Sequence, residues 1–275
     1  MNPTTGRKWD SRLGLAWVAL AWAVLSAVAG CASSPGTEAP SQDRVTESDE
    51  PEARKRARIR MELAVGYFEQ GQTSVALDEV KQVIALDPGF PDAYNLRGLI
   101  YMRLNDPRQA EESFRRAVAL NPNDANVQHN YGWMLCQQGR YDESQRAFDV
   151  AMANPLYTGR AKTLMAQGLC QAKAGRVAEA ERSLARSYEL DAGNPVTGYN
   201  LAMLLYRRAD YTRAQFYIRR LNNSELANAE TLWLGIRVER RLNDDVAMQQ
   251  LAEQLRKRYP QSREATAYER RAFDD

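Results

Sequence analysis

The feature that most constrains this chain is a set of small and large residues that returns every 34 positions. Ala64, Tyr67, Ala76 and Pro88 are followed at that interval by Gly98, Tyr101, Ala110 and Pro122. Gly132, Leu135, Ser144, Phe148 and Ala151 then continue the register of Gly98, Tyr101, Ala110, Phe114 and Ala117. Two extra residues follow Asn154-Pro155, and Gly168, Gly175, Ala180 and Leu184 open a fourth unit. Ala202, Leu205, Tyr211 and Ala214 form a fifth. A degenerate sixth reads Gly235, Val238, Ala247 and Leu251 and ends near Pro260. A period of this length marks a stacked array, in which each unit buries its faces only against its neighbours.

The offsets match those of the tetratricopeptide repeat: a small residue where two helices cross, a bulky one three positions on, and Pro at the close. They predict an all-α, right-handed superhelix of about six helix–turn–helix units within 55–260. The units lie near 57–90, 91–124, 125–158, 161–194, 195–227 and 228–260, with 261–275 left as a C-terminal tail. Such an array offers a concave groove lined by the first helix of each unit. Groove-facing offsets select Met61, Val65 and Phe68 in the first unit, then Asn95, Leu99 and Met102. His129 and Trp133 follow, then Met165 and Leu169, and finally Tyr199, Met203 and Tyr206. Some of these can equally pack between helices. As a stripe they are apolar enough to need covering, and Met, Trp and Tyr are favoured contact residues. The expected occupant is an amphipathic or extended apolar segment of another protein. Arg115, Arg116, Arg182, Arg186, Arg219 and Arg220 fall on second helices, either as a basic recognition patch or as a solvated face balanced by neighbouring acids.

Before the array, Arg7, Lys8 and Arg12 precede an apolar run from Leu13 to Ala29, and Val28-Ala29-Gly30-Cys31 fits a bacterial lipobox. Residues 1–30 thus read as a lipoprotein signal peptide, with Cys31 as the lipidated residue. An uncleaved anchor and an ordinary secretory signal are the alternatives. Ala32 in place of Asp leaves out a known inner-membrane retention signal, which points to the outer membrane. Residues 31–54 are rich in Ser, Pro, Glu and Asp and read as a flexible tether, about 25 Å end to end. Removing residues 1–30 takes away three basic groups and one acid, leaving basic and acidic side chains equal in number. No net basic charge then favours nucleic acid.

The wording of the third unit is more specific than a generic repeat requires. NYGWMLC (130–136) and ANPLY (153–157) resemble the type IV pilus biogenesis and stability lipoproteins, the PilF/PilW family of secretin pilotins. GLCQAKAGR, LWLGIRVERRLND and ERRAFDD extend that likeness along the mature chain. The resemblance implies an outer-membrane lipoprotein with its repeat domain in the periplasm. Such a protein binds the pilus secretin, promotes its localisation and multimerisation, and supports twitching motility. Arg97 and Ser144 depart from the usual Leu and Ala of the repeat, which bears on local packing. The competing reading is a repeat scaffold of another envelope assembly or cell-wall machine.

Cys136 and Cys170 fall on first helices of adjacent units, and some relatives in the resembling family carry such a pair. A disulfide suits a periplasmic protein. However, Cys136 lies four residues after Gly132 and Cys170 only two after Gly168, so buried free thiols remain an alternative. Nothing suggests an enzyme: no HExxH, CxxC, GxSxG or phosphate-loop pattern is present. His129 is the single histidine, so no metal site, cofactor or small-molecule substrate is expected.

Overall fold

The computed structural model describes residues 51–273, within a compact unit running from Pro51 to Asp275. The signal peptide, Cys31 and residues 31–50 of the tether lie outside the described residues. Thirteen α-helices occur among the described residues. They are α1 (Glu52–Glu69), α2 (Thr73–Leu86), α3 (Pro91–Arg103), α4 (Pro107–Leu120), α5 (Ala125–Gln137), α6 (Tyr141–Ala153) and α7 (Arg160–Lys173). Then come α8 (Val177–Leu190), α9 (Pro195–Arg207), α10 (Tyr211–Asn222), α11 (Ala229–Arg241), α12 (Asp245–Arg258) and the short α13 (Arg263–Glu269). Odd-numbered helices open units and even-numbered ones close them.

Local signals place the helix ends. The side chains of Asp106, Asp124, Asn194, Asp210, Asn228, Asp244 and Ser262 accept backbone N–H groups of the first turn that follows them. Pro91, Pro107 and Pro195 start helices where a missing N–H costs nothing. Inside each unit the turn carries one residue of positive φ: Gly71, Asn105, Gly139, Gly175, Ala209 and Asn243. Glycine adopts this conformation freely, whereas Ala209 holds it at a cost.

The core rests on one recurring contact, in which a residue of the first helix meets a residue 16 positions later on the second. The pairs are Ala64/Val80, Gly98/Phe114, Gly132/Phe148, Gly168/Leu184, Ala202/Ile218 and Ile236/Ala252, all buried. In five of them the first helix gives the small partner. A Cβ on Gly98 would lie 2.7 Å from the Phe114 ring, and one on Gly132 would lie 2.9 Å from Phe148. The sixth pair is inverted, with Ile236 against Ala252. The sixth unit therefore runs one residue later than Gly235, Val238, Ala247 and Leu251 suggest; Gly235, where a Cβ would lie 3.0 Å from Leu251, imitates the small crossing residue one place early. In the corrected register, the position held by Tyr101 and Leu135 is held by Glu239, whose side chain is wholly buried. Arg219 closes on Glu239 with two bonds, Nε to Oε1 at 2.7 Å and Nη2 to Oε2 at 2.8 Å, and Gln215 adds one at 2.7 Å. A buried carboxylate survives because it is fully bonded.

Two boundaries also move. Residues 52–54 are helical rather than tether: Arg54 pairs with Asp87 and lies 4.2 Å over the Phe90 ring. The expected tail contains α13, packed on α11 and α12 through Ala265 and Tyr268. Arg271 after α13 has the same positive φ as the turn in every complete unit. The tail is thus the first helix and turn of a seventh repeat.

Successive first helices touch one another, whereas successive second helices do not pack comparably. That asymmetry makes the first helices the inner wall of the superhelix and the second helices its outer face. Among the described residues, the apolar clusters are built from side chains of this unit.

The crossing contact predicts a specific non-additivity. Gly132→Ala alone overpacks against Phe148 and destabilises the array by about 1–3 kcal/mol. Gly132→Ala combined with Phe148→Leu loses less than the two single changes summed, as chemical denaturation of the four variants reads directly.

A candidate binding groove along the first helices

The groove residues come from three positions on each first helix, and the structure gives each position a distinct character. The first holds Met61, Asn95, His129, Met165, Tyr199 and Trp233; the second holds Val65, Leu99, Trp133, Leu169, Met203 and Arg237. The third contributes Phe68, Met102, Cys136, Ala172, Tyr206 and Arg240. Met61, Val65, Phe68, Asn95, Leu99, Met102, Trp133, Met165, Leu169, Tyr199, Met203 and Tyr206 are all half-buried. One side of each apolar member packs into an inter-helix cluster, and the other is left on the inner wall. The two readings of these residues, packing and groove lining, therefore hold together rather than compete.

His129 is the exception and does not line the groove. It is only 5% exposed, with Nδ1 2.9 Å from the Thr163 hydroxyl and its ring 6.1 Å from that of Phe148. Tyr157 reaches the same Thr163 hydroxyl at 3.0 Å. His129 and the Tyr157 of ANPLY thus meet across the junction of the third and fourth units, which is where the two extra residues enter. Burial, helped by the nearby Lys162 charge, pushes the imidazole down to about 4.

The same junction is joined covalently by the Cys136–Cys170 disulfide, with Cα atoms 5.7 Å apart. The unequal offsets of the two cysteines are the ordinary offset of this seam. Phe68 with Ile100, and Met102 with Met134, share clusters at equivalent positions, because each first helix sits about half a turn out of step with the next. Ser144 donates to the Gly132 carbonyl at 2.7 Å and lies 3.4 Å from the Cys170 sulfur, which accounts for its replacing Ala. Arg97 likewise replaces Leu by donating to Ser113 at 2.9 Å and lying over the Tyr94 ring.

Cations overlie several rings of the inner wall. Arg103 stands 3.7 Å over Phe68, and Lys173 stands 5.7 Å over Trp133. Arg237 lies between Tyr206 and Trp233, at 5.0 and 5.7 Å. Phe273 stacks on Trp233 at 5.5 Å, and Arg240 lies 4.3 Å from the centre of the Phe273 ring. Asn130 donates to Asn95 at 3.1 Å, which gives the wall a polar tie between the second and third units. Trp233, Arg237 and Arg240 were missed from sequence because the sixth unit was read one residue early. Their 34-residue spacing from Tyr199, Met203 and Tyr206 was the available signal. The wall is therefore apolar through its middle and aromatic-cationic toward its C-terminal end. Among the described residues no group of three or more His, Cys, Asp or Glu side chains could hold a metal ion.

Comparison with known proteins agrees with this geometry. Sequence models of the tetratricopeptide repeat match residues 66–105, 91–124, 113–146 and 132–195. The chain is 28% identical over 246 residues to the type IV pilus assembly protein PilF of Pseudomonas aeruginosa, covering 90% of this chain and 95% of PilF. The crystal structure of PilW, described as a widely conserved type IV pilus biogenesis factor, superposes with a TM-score of 0.72 at 29% identity. It covers 78% of this chain and 98% of PilW. The P. aeruginosa PilF structure gives 0.71 at 28% identity, over 79% of this chain and 99% of PilF.

Two outcomes follow from the junction. The depressed His129 favours the neutral form in the folded state, so its contribution is complete above the unfolded value near 6.5. That contribution is lost as pH falls from there toward about 4. The loss is on the order of 3 kcal/mol, and His129→Gln should flatten this part of a stability–pH profile. Replacing both cysteines by Ser should cost about 2–4 kcal/mol, measured by denaturation under non-reducing conditions.

Proposed function

We propose that this chain, a PilF/PilW-like tetratricopeptide-repeat protein, is a non-catalytic outer-membrane lipoprotein of type IV pilus biogenesis. In this reading it binds the pilus secretin and promotes its localisation and multimerisation. The observation that carries it is likeness to PilF and PilW along nearly their whole length, in a chain that begins with a lipobox ending at Cys31.

The physical account runs from the wall outward. Acyl chains on Cys31 hold the protein at the membrane, and more than one chain makes the attachment lasting. Half-buried Leu99, Met102, Trp133, Leu169 and Met203 give an adaptable apolar wall that covers an exposed segment of a secretin monomer until monomers associate. The disulfide fixes the wall at its centre, so less ordering is required on binding.

The test is deletion of the gene followed by blotting of outer-membrane fractions for the heat- and detergent-resistant secretin multimer. Loss of the multimer, restored by the wild-type gene, is expected; Cys31→Ser should restore it poorly or leave it misplaced. Normal multimers with normal pili would overturn the reading and favour a scaffold of another envelope machine.

A further inference from the structure

The outer face of the array carries a feature that groove binding does not use. Two columns of residues, one helical turn apart, run across the second helices on the side away from the core. One column holds Glu112, Arg146, Arg182, Phe216 and Gln250; the other holds Arg116, Val150, Arg186, Arg220 and Gln254. All ten are exposed. Among the described residues no carboxylate lies within 4 Å of the guanidinium of Arg116, Arg146, Arg182, Arg186 or Arg220. Arg116 and Arg220 only flank tyrosine rings, Tyr94 and Tyr188, at 5.7 and 5.9 Å. Arg219, by contrast, turns aside to Glu239 and Asp244. Phe216, 62% exposed, lies one turn from Arg220 on α10, with its ring 5.1 Å from that of the neighbouring Tyr217.

We propose that this outer face docks on an anionic lipid surface. A convex strip of exposed guanidinium groups, none within 4 Å of a carboxylate among the described residues although Asp142 and Glu143 lie near Arg146, encloses no peptide but can meet many phosphate headgroups at once. The arginines sit on four successive second helices, so the strip spans several lipids. Phe216 and Val150 supply the apolar side chains that enter the headgroup region, and each Arg adds electrostatic attraction. The inference rests on the lipid-anchored reading only in placing a membrane within reach of the tether. With the outer face on the bilayer, the groove opens away from it, so both surfaces work together.

The test uses residues 31–275 with Cys31→Ser, which carry no acyl chain, in co-sedimentation with phospholipid vesicles. Binding is expected to phosphatidylglycerol-containing vesicles and not to pure phosphatidylcholine. It should fade as added salt shortens the screening length from about 30 Å to about 8 Å. Combined R146Q, R182Q, R186Q and R220Q should weaken binding by at least about tenfold, with helicity and Tm retained. Trp133→Ala should leave it unchanged. Failure to bind anionic vesicles, or equal binding by the four-fold variant, overturns the proposal. So does loss of a protein partner by that variant without any vesicle binding, which would assign the strip to an acidic protein. None of these outcomes depends on the secretin multimer, so the two readings fail separately.

Discussion

Everything in this array depends on the close crossing of two helices within each unit, where one residue must be small because its partner is large. Gly98 and Gly132 admit the rings of Phe114 and Phe148, with no room for a methyl group. That contact sets the angle and separation of each helix pair, and repetition of the angle sets the superhelix. The first helices are thereby brought side by side on the inner wall and the second helices spread outward. Ile236 against Ala252 reverses the exchange at the end of the array while keeping the two helices in contact.

The inner wall follows from this geometry. A residue one position round from the crossing can be neither wholly buried nor wholly free, which is why the Met, Leu and aromatic lining is half-buried throughout. Where the period lengthens by two residues, the junction is held by devices found at no other junction among the described residues: a disulfide, and the His129–Thr163–Tyr157 contacts. Reinforcement therefore sits where the repeat is irregular, and it lies beside Trp133, the largest ring of the apolar stretch.

Fold class and the first five units were legible because the small and large crossing residues recur at fixed spacing in the sequence. The same spacing picked out the half-buried positions of the first helices, His129 and the sixth unit apart. His129 occupies a groove position by register, yet Thr163 and Tyr157 turn it inward, and that partnership depends on a loop whose path no periodicity reveals. The sixth unit misled because Gly235 imitates the small crossing residue one place early, which hid Trp233, Arg237, Arg240 and the buried Glu239. The C-terminal half-repeat escaped notice because α13 is short and its turn residue is Arg271 instead of Gly or Asn. The partner of Arg219 could not be foreseen either, since Glu239 lies 20 residues away on another helix.

The central claim is that the inner wall, and not the outer face, receives the partner. It is tested most directly by placing a photoreactive amino acid at Leu99 or Met203 on the wall, and at Gln250 on the outer face, in living cells. Irradiation should yield a covalent adduct with the secretin from the two wall positions and none from Gln250. Adducts from Gln250 alone, with silent wall positions, would contradict the account.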